Sequence, residues 1–233
     1  MKFTKKKVFV VALAVCLVAV LSMGTLAWFS AQDEVTNEFF VATDEDDKTD
    51  FSVDVWENRD ANGDGDYDDE GDAEKNSDGL VYENILPGDV LSKEVHVENT
   101  GAYDQYLRVI VEISNASAWV NALGTDYKFE NCFVGFDQDQ WYPIGVNKYL
   151  AEQDLIVVVL YYNEVLEAGK DITLFNAVQI PTELTVDHAN ALGNGFEINV
   201  KAHVIQADNV GDNIWAAFNE VIGWKALDEY TNP

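Results

Sequence analysis

The sequence predicts an all-β protein: an antiparallel β-sandwich or jelly roll with an amphipathic helix near its C-terminus. Three observations predict it. Apolar and polar residues alternate with a period of two in many short segments, as half-buried strands require. Turn signals separate these segments at short spacing, which favours a sandwich over a parallel α/β sheet. The chain is also 48% hydrophobic and 12% aromatic, enough apolar surface to offset the entropy of ordering despite a formal net charge of −28.

The N-terminus predicts an export signal. Lys5-Lys6-Lys7 precedes the apolar run Val8 to Leu21, and Gly24, Thr25 and Ala27 supply small residues for cleavage between Ala27 and Trp28. Residues 1–27 are therefore read as a signal peptide and 28–233 as a single β-sandwich domain with an acidic insertion at 57–78. The competing reading is an uncleaved anchor, because the uncharged stretch from Val8 to Gln32 is long enough for a bilayer of about 30 Å. The membrane is a partner only through that uncleaved leader. Cys16 lies in the leader, so Cys132 is left alone in the mature chain and no internal disulfide can form. Its neighbours Phe133 and Val134 predict a buried, inert thiol.

Within the domain, Leu107, Val109, Val111 and Ile113 share one strand face, with Arg108 and Glu112 on the other. Phe196, Ile198, Val200, Ala202 and Val204 form a second such face, opposite Glu197, Lys201 and His203. Leu155 to Tyr161 is apolar almost throughout, as a strand covered on both faces requires. Shorter strands are expected at Asn37–Ala42, Phe51–Trp56, Leu80–Glu83, Leu91–Val97, Tyr127–Val134 and Ile172–Ile180. Two segments read as helical. Ala116–Leu123 makes a short turn, and Asp212 caps a helix that carries Ile214, Trp215, Phe218, Val221 and Ile222 on one face.

Charge excludes some partners. Forty-two acidic residues face 14 basic ones, only two of them arginine, and loss of the four leader lysines takes the net charge from −28 to −32. Phosphate backbones need clustered Lys and Arg, so nucleic acid and anionic membrane surfaces are excluded. Cations are favoured. The insertion contains Asp60, Asn62, Asp64, Asp66, Asp68, Glu70 and Asp72, and its D-x-N-x-D-G spacing places oxygen ligands around a glycine turn, as Ca²⁺ requires. Position 12 of that pattern is Gly71 where a bidentate acid belongs, so Glu70 or Asp72 must close the site. A solvated loop held open by repulsion is the alternative, although ten acids between Glu57 and Asp78 are hard to hold together without a counterion.

Several stretches together resemble the TasA and camelysin family of exported Gram-positive proteins. They are Gly24 to Ser30 followed by Asp33 to Phe39, then Leu86-Pro87-Gly88-Asp89-Val90, Val95 to Gly101 and Tyr106-Leu107-Arg108-Val109. Tyr161-Tyr162-Asn163, Leu174 to Pro181 and Ile205 to Asp208 complete the likeness. The resemblance implies a jelly-roll-like β-sandwich with helical decorations, processing by a SipW-type signal peptidase, and secretion to the extracellular matrix or cell surface. It also implies either a biofilm-matrix fibre subunit or a surface metalloendopeptidase of camelysin type. The acidic insertion is not part of that family pattern.

No catalytic motif is visible. The chain lacks a His-Glu-x-x-His helix, a Gly-x-Ser-x-Gly elbow and a glycine-rich phosphate loop. His96, His188 and His203 are far apart in sequence, with His96 and His203 expected as solvated groups on outward strand faces, and Arg108 is expected to pair with an acid such as Glu112. A structural role asks less of the side chains. The segment from Trp28 to Ala42, with Val35, Phe39, Phe40 and Val41, supplies an apolar strand that could complete a sheet edge in a second copy, giving a head-to-tail homopolymer. The same strand could instead pair within its own domain. A third reading is a monomeric surface binding module presenting Trp119, Trp141 and Tyr142 to a glycan or protein.

Overall fold

The apolar run Leu155 to Tyr162 becomes part of a strand with no exposed residue from Ile156 to Tyr162, and the first sheet is built around it. The computed structural model describes residues 30–35, 52–82, 85–185, 187–188, 192, 195–208 and 213–221. The chain divides into units 1–30 and 31–233, and apart from Ser30 the first unit lies outside the described residues. So does the expected strand Asn37–Ala42.

Among the described residues ten strands occur: β1 (Ser30–Val35), β2 (Val53–Arg59), β3 (Ala73–Asn76), β4 (Val90–Asn99), β5 (Gln105–Ser114), β6 (Phe133–Val134), β7 (Trp141–Leu150), β8 (Leu155–Leu166), β9 (Asp171–Gln179) and β10 (Ile198–Gln206). They form two five-stranded sheets, ordered β1-β10-β5-β8-β7 and β3-β2-β4-β9-β6. The pairs β10–β5, β5–β8 and β7–β8 in the first sheet, and β2–β3, β2–β4, β4–β9 and β6–β9 in the second, are antiparallel. The all-β class and the two-layer architecture are as the alternation predicts.

One apolar core lies between the layers. Val53 and Val55 of β2 and Val95 and Val97 of β4 join Leu107, Val109 and Val111 of β5, Val158 and Leu160 of β8, and Val200, Ala202 and Val204 of β10. These are the residues whose period of two selects a single face, so the sequence pattern and the core are the same set. Helix α1 occupies Ala116–Leu123, as expected, and buries Trp119 against Phe129 and Phe196, each edge-on.

The first sheet is covered on its other face as well. Ile110 of β5, Val157, Val159 and Tyr161 of β8, and Ile205 of β10 pack with Ile214, Ala217 and Phe218 in a second cluster. That cover is a helical segment whose turn over Ala216–Val221 is a π-helix. Asn213 caps it: the Asn213 Oδ1 accepts from the N–H groups of Trp215 and Ala216 at 3.0 and 3.1 Å. Asp212 and Ile222 lie outside the described residues.

Four local expectations are corrected. Leu80–Tyr82 has no strand pairing, and the insertion instead contributes β3, because Asn58 of β2 accepts the Lys75 N–H at 2.8 Å. Tyr127–Val134 is strand only at Phe133–Val134, after a 3-10 turn at Phe129–Cys132. β7 was not anticipated, since Pro143 and Gly145 break its alternation. Trp119 and Trp141 are 3% and 0% exposed and belong to the core; of the three aromatics expected at the surface only Tyr142, at 45%, is there.

Candidate functional site

The acidic insertion is a hairpin connection between β2 and β3, closed where Arg59 pairs with Ala73. Its carboxylates organise its backbone. The Asp60 carboxylate accepts the N–H groups of Gly63 at 2.5 Å and Gly65 at 2.9 Å. Gly63 and Gly65 have φ of 82° and 94°, the left-handed region that a glycine enters without strain. Asn62 Oδ1 accepts from the Asp64 N–H at 2.9 Å, and Asp64 Oδ1 from the Asp66 N–H at 3.2 Å. Asp72 closes the loop, taking the Ala61 N–H at 2.7 Å and the Asp69 N–H at 2.9 Å.

These bonds divide the acids into two groups. Asp60 and Asp72 face backbone donors; the Gly65 N–H, with that of Gly63, holds the Asp60 carboxyl below the usual carboxylate range. Asp64, Asp66 and Asp69 bring one carboxylate oxygen each within 4.8 Å of one another and are exposed. For Asp66 the Asp68 N–H lowers the carboxyl's pKa, but the hydrogen bond to the Asp68 side chain, then desolvation, then the charges of Asp64 and Asp72 outweigh it, so it stands above the usual range. Like charges in one place disfavour ionisation, and a bound cation would reverse that sign. Of the residues expected as ligands, Asp64 and Asp66 converge, whereas Asp68 and Glu70 are not in the group. Asp69 was missed because the spacing pattern counts along the chain, while the turn at Gly65 folds position 69 back towards 64.

The loop is tied to the sheet beneath it. Tyr67 donates its hydroxyl to Glu94 Oε2 of β4 at 2.7 Å, and Asn58 Nδ2 donates to the same oxygen at 3.1 Å. Hydrogen bonds from Tyr67, Asn58 and His96 outweigh desolvation and lower the Glu94 carboxyl. His96 is stacked flat on Trp56 at 3.9 Å, with Asp171 Oδ2 3.2 Å from its Nδ1. It is therefore covered, not solvated as expected.

His203 also departs from expectation. His203 is fully buried, its Nδ1 2.8 Å from Nη2 of Arg108. Arg108 pairs with His203 and lies under the Phe218 ring at 4.6 Å, while Glu112 pairs with Lys201 at 2.8 Å. His188 Nδ1 accepts the Thr185 N–H at 3.2 Å in an exposed turn. Among the described residues no cluster of potential metal ligands contains a histidine.

No family model, curated protein or solved structure matches the chain.

Two further features matter. Glu57 of β2 and Lys93 of β4 are in step with the core valines of their strands, so both point inward, and Lys93 Nζ donates to Glu57 Oε1 at 2.5 Å in a buried pair. No apolar pattern announces such a pair. The strand beside β10 is β1, at the border of the first sheet, and Val35 is its last residue. Ala27 and Trp28 at the expected cleavage point, and Phe39, Phe40 and Val41 of the expected donor segment, lie outside the described residues.

Proposed function

We propose that the chain is an exported structural protein of the extracellular matrix or cell surface, a fibre subunit of the TasA type released by a SipW-type signal peptidase at Ala27. The two layers are read as jelly-roll-like, with the segment after Asn213 continuing as an amphipathic helix. The observation that carries the proposal is the position of β1. An N-terminal strand at a sheet border beside β10 can leave its own sheet and complete the same border in the next copy, at no net loss of backbone hydrogen bonds. Repeated head to tail, that exchange makes a filament. Ca²⁺ at Asp64, Asp66 and Asp69 lowers the self-repulsion of a released chain whose net charge, without the four leader lysines, is −32 and so favours assembly.

Removal of residues 28–42 tests it. Filaments seen by electron microscopy for the secreted protein disappear in the deletion while the circular dichroism of the sandwich persists; filaments unchanged by the deletion reject strand exchange.

A further inference from the structure

Outside the acidic loop, the outer side of the first sheet carries a second feature of a different kind. A cleft of about 570 Å³ lies between β5, β7, β8 and the segment that covers them. Three aromatic residues from three separate elements line it: Tyr106, Tyr142 and Trp215. Tyr142 and Trp215 are 45% and 37% exposed, in a protein that buries most of its large apolar side chains. Asn163, Glu164 and Asn213 supply the polar lining.

The lining is positioned by the fold. Trp215 is stacked on the buried Tyr161, centroids 4.8 Å apart and planes 29° from parallel, so its indole is fixed before any ligand arrives. Asn213 is held by the two N–H groups it caps. Asn163 donates its Nδ2 to the Asp139 carbonyl at 3.0 Å, and its own N–H to the Gln140 carbonyl at 2.8 Å. Two amides and one carboxylate are thus set among aromatic faces, in a space the size of an ordinary small-ligand pocket.

That combination specifies a ligand. Aromatic faces carry negative charge density and attract cations as well as the C–H faces of flat saturated rings. Amides match hydroxyl groups. Glu164 and the net charge of −28 repel anionic polymers and attract protonated amines. We propose that this cleft binds a polysaccharide carrying free amino sugars, with the sugar face on Trp215 and Tyr142, hydroxyl groups at Asn163 and Asn213, and the ammonium near Glu164. The proposal is independent of strand exchange, because it uses neither β1 nor the acidic loop.

The test is a titration of the full chain with glucosamine oligomers, N-acetylglucosamine oligomers, glucuronate-containing oligomers and choline, followed by tryptophan fluorescence and calorimetry. Glucosamine oligomers bind tightest, acetylated ones about tenfold or more weaker, and the anionic ones not at all. Tyr142→Ala and Glu164→Gln each weaken glucosamine binding by about tenfold with the far-ultraviolet circular dichroism unchanged, and Trp215→Ala removes the fluorescence change. Affinity that survives Tyr142→Ala and Glu164→Gln, equal binding of acetylated and free amino sugars, or choline binding as tightly as the oligomers overturns the proposal. Failure here leaves filaments unaffected, and loss of filaments on deletion of residues 28–42 leaves this titration unaffected.

Discussion

Nη2 of Arg108 meets Nδ1 of His203 at 2.8 Å, across a strand pair in which the two residues are directly opposite. Both side chains are fully buried. A guanidinium can only donate, so His203 Nδ1 must accept, and the imidazole is neutral with its proton on Nε2. Phe218 lies over the guanidinium and substitutes for part of its lost hydration. The pair therefore depends on His203 staying uncharged.

Burial first, then the charges of Arg108 and Lys201, push the His203 pKa down to about 3. The unfolded chain takes up this proton near pH 6.5 and the folded chain does not, so the unfolded state binds more protons between those values. Stability contributed by this group is complete above pH 6.5 and falls as the pH drops towards 3, at up to about 1.4 kcal/mol per pH unit. Glu112, which faces the same layer, is held by Lys201 at 2.8 Å. His203→Gln keeps an acceptor for Arg108 and removes the proton site. Urea unfolding from pH 7 to 5 gives a slope shallower by about one proton in the variant; identical slopes would exclude His203 as the titrating group.

Glu57 and Lys93 form the second buried polar pair, on the inner faces of β2 and β4. Each alone would be an uncompensated charge in a core, so Glu57→Leu or Lys93→Met costs about 3–5 kcal/mol. The double variant replaces both charges with apolar volume and returns to within about 1 kcal/mol of the parent or above it. A double variant as unstable as the sum of the singles contradicts this account, and chemical denaturation of all four proteins decides it.

The legible part of the fold was what repeats. Val109, Val111, Val200 and Val204 announce their strands and face by spacing alone, and Ala116–Leu123 by its apolar composition beside turn residues. What spacing does not encode is which outward face is covered later. Arg108 and His203 alternate correctly as outward residues, and only the segment around Phe218, more than a hundred residues after Arg108, puts them inside. The same applies to the acids: the sequence marks the loop, but whether Asp69 or Glu70 joins Asp64 is decided by how Asp60 and Asp72 fold the backbone. Trp215 is on the expected helical stripe, yet its exposed edge becomes part of a cleft only beside Tyr142 of β7, a strand that Pro143 conceals.

Calcium binding is predicted at the oxygens that converge. Saturating Ca²⁺ raises the thermal midpoint by about 3–8 °C, the range expected for a domain of this size and a ligand at ten to a hundred times its dissociation constant. Asp64→Ala and Asp69→Ala abolish the rise, whereas Glu70→Ala, outside the convergent group, retains it. Titration calorimetry with no heat at millimolar calcium refutes the site, and loss of the rise in Glu70→Ala alone restores the register read along the chain.

Cys132 gives a probe of local opening. Its thiol is buried, with the Tyr127 hydroxyl 3.5 Å from Sγ, and desolvation is the main cause that raises its pKa above the ordinary thiol value. The thiolate is the reactive form, so burial suppresses reaction twice, by access and by ionisation. In a Cys16→Ser background, an aromatic disulfide reagent at pH 7.5 labels the native chain at least about a hundredfold more slowly than the urea-unfolded chain, because reaction waits for an opening that costs several kcal/mol. The Tyr127→Phe variant removes a hydrogen bond made only in the closed state, so it leaves native labelling unchanged where its unfolding midpoint is unchanged and speeds it in proportion to any loss of stability. Equal rates in native and unfolded protein would place Cys132 at the surface and dissolve the packing of Phe129, Cys132 and Phe133 between the layers.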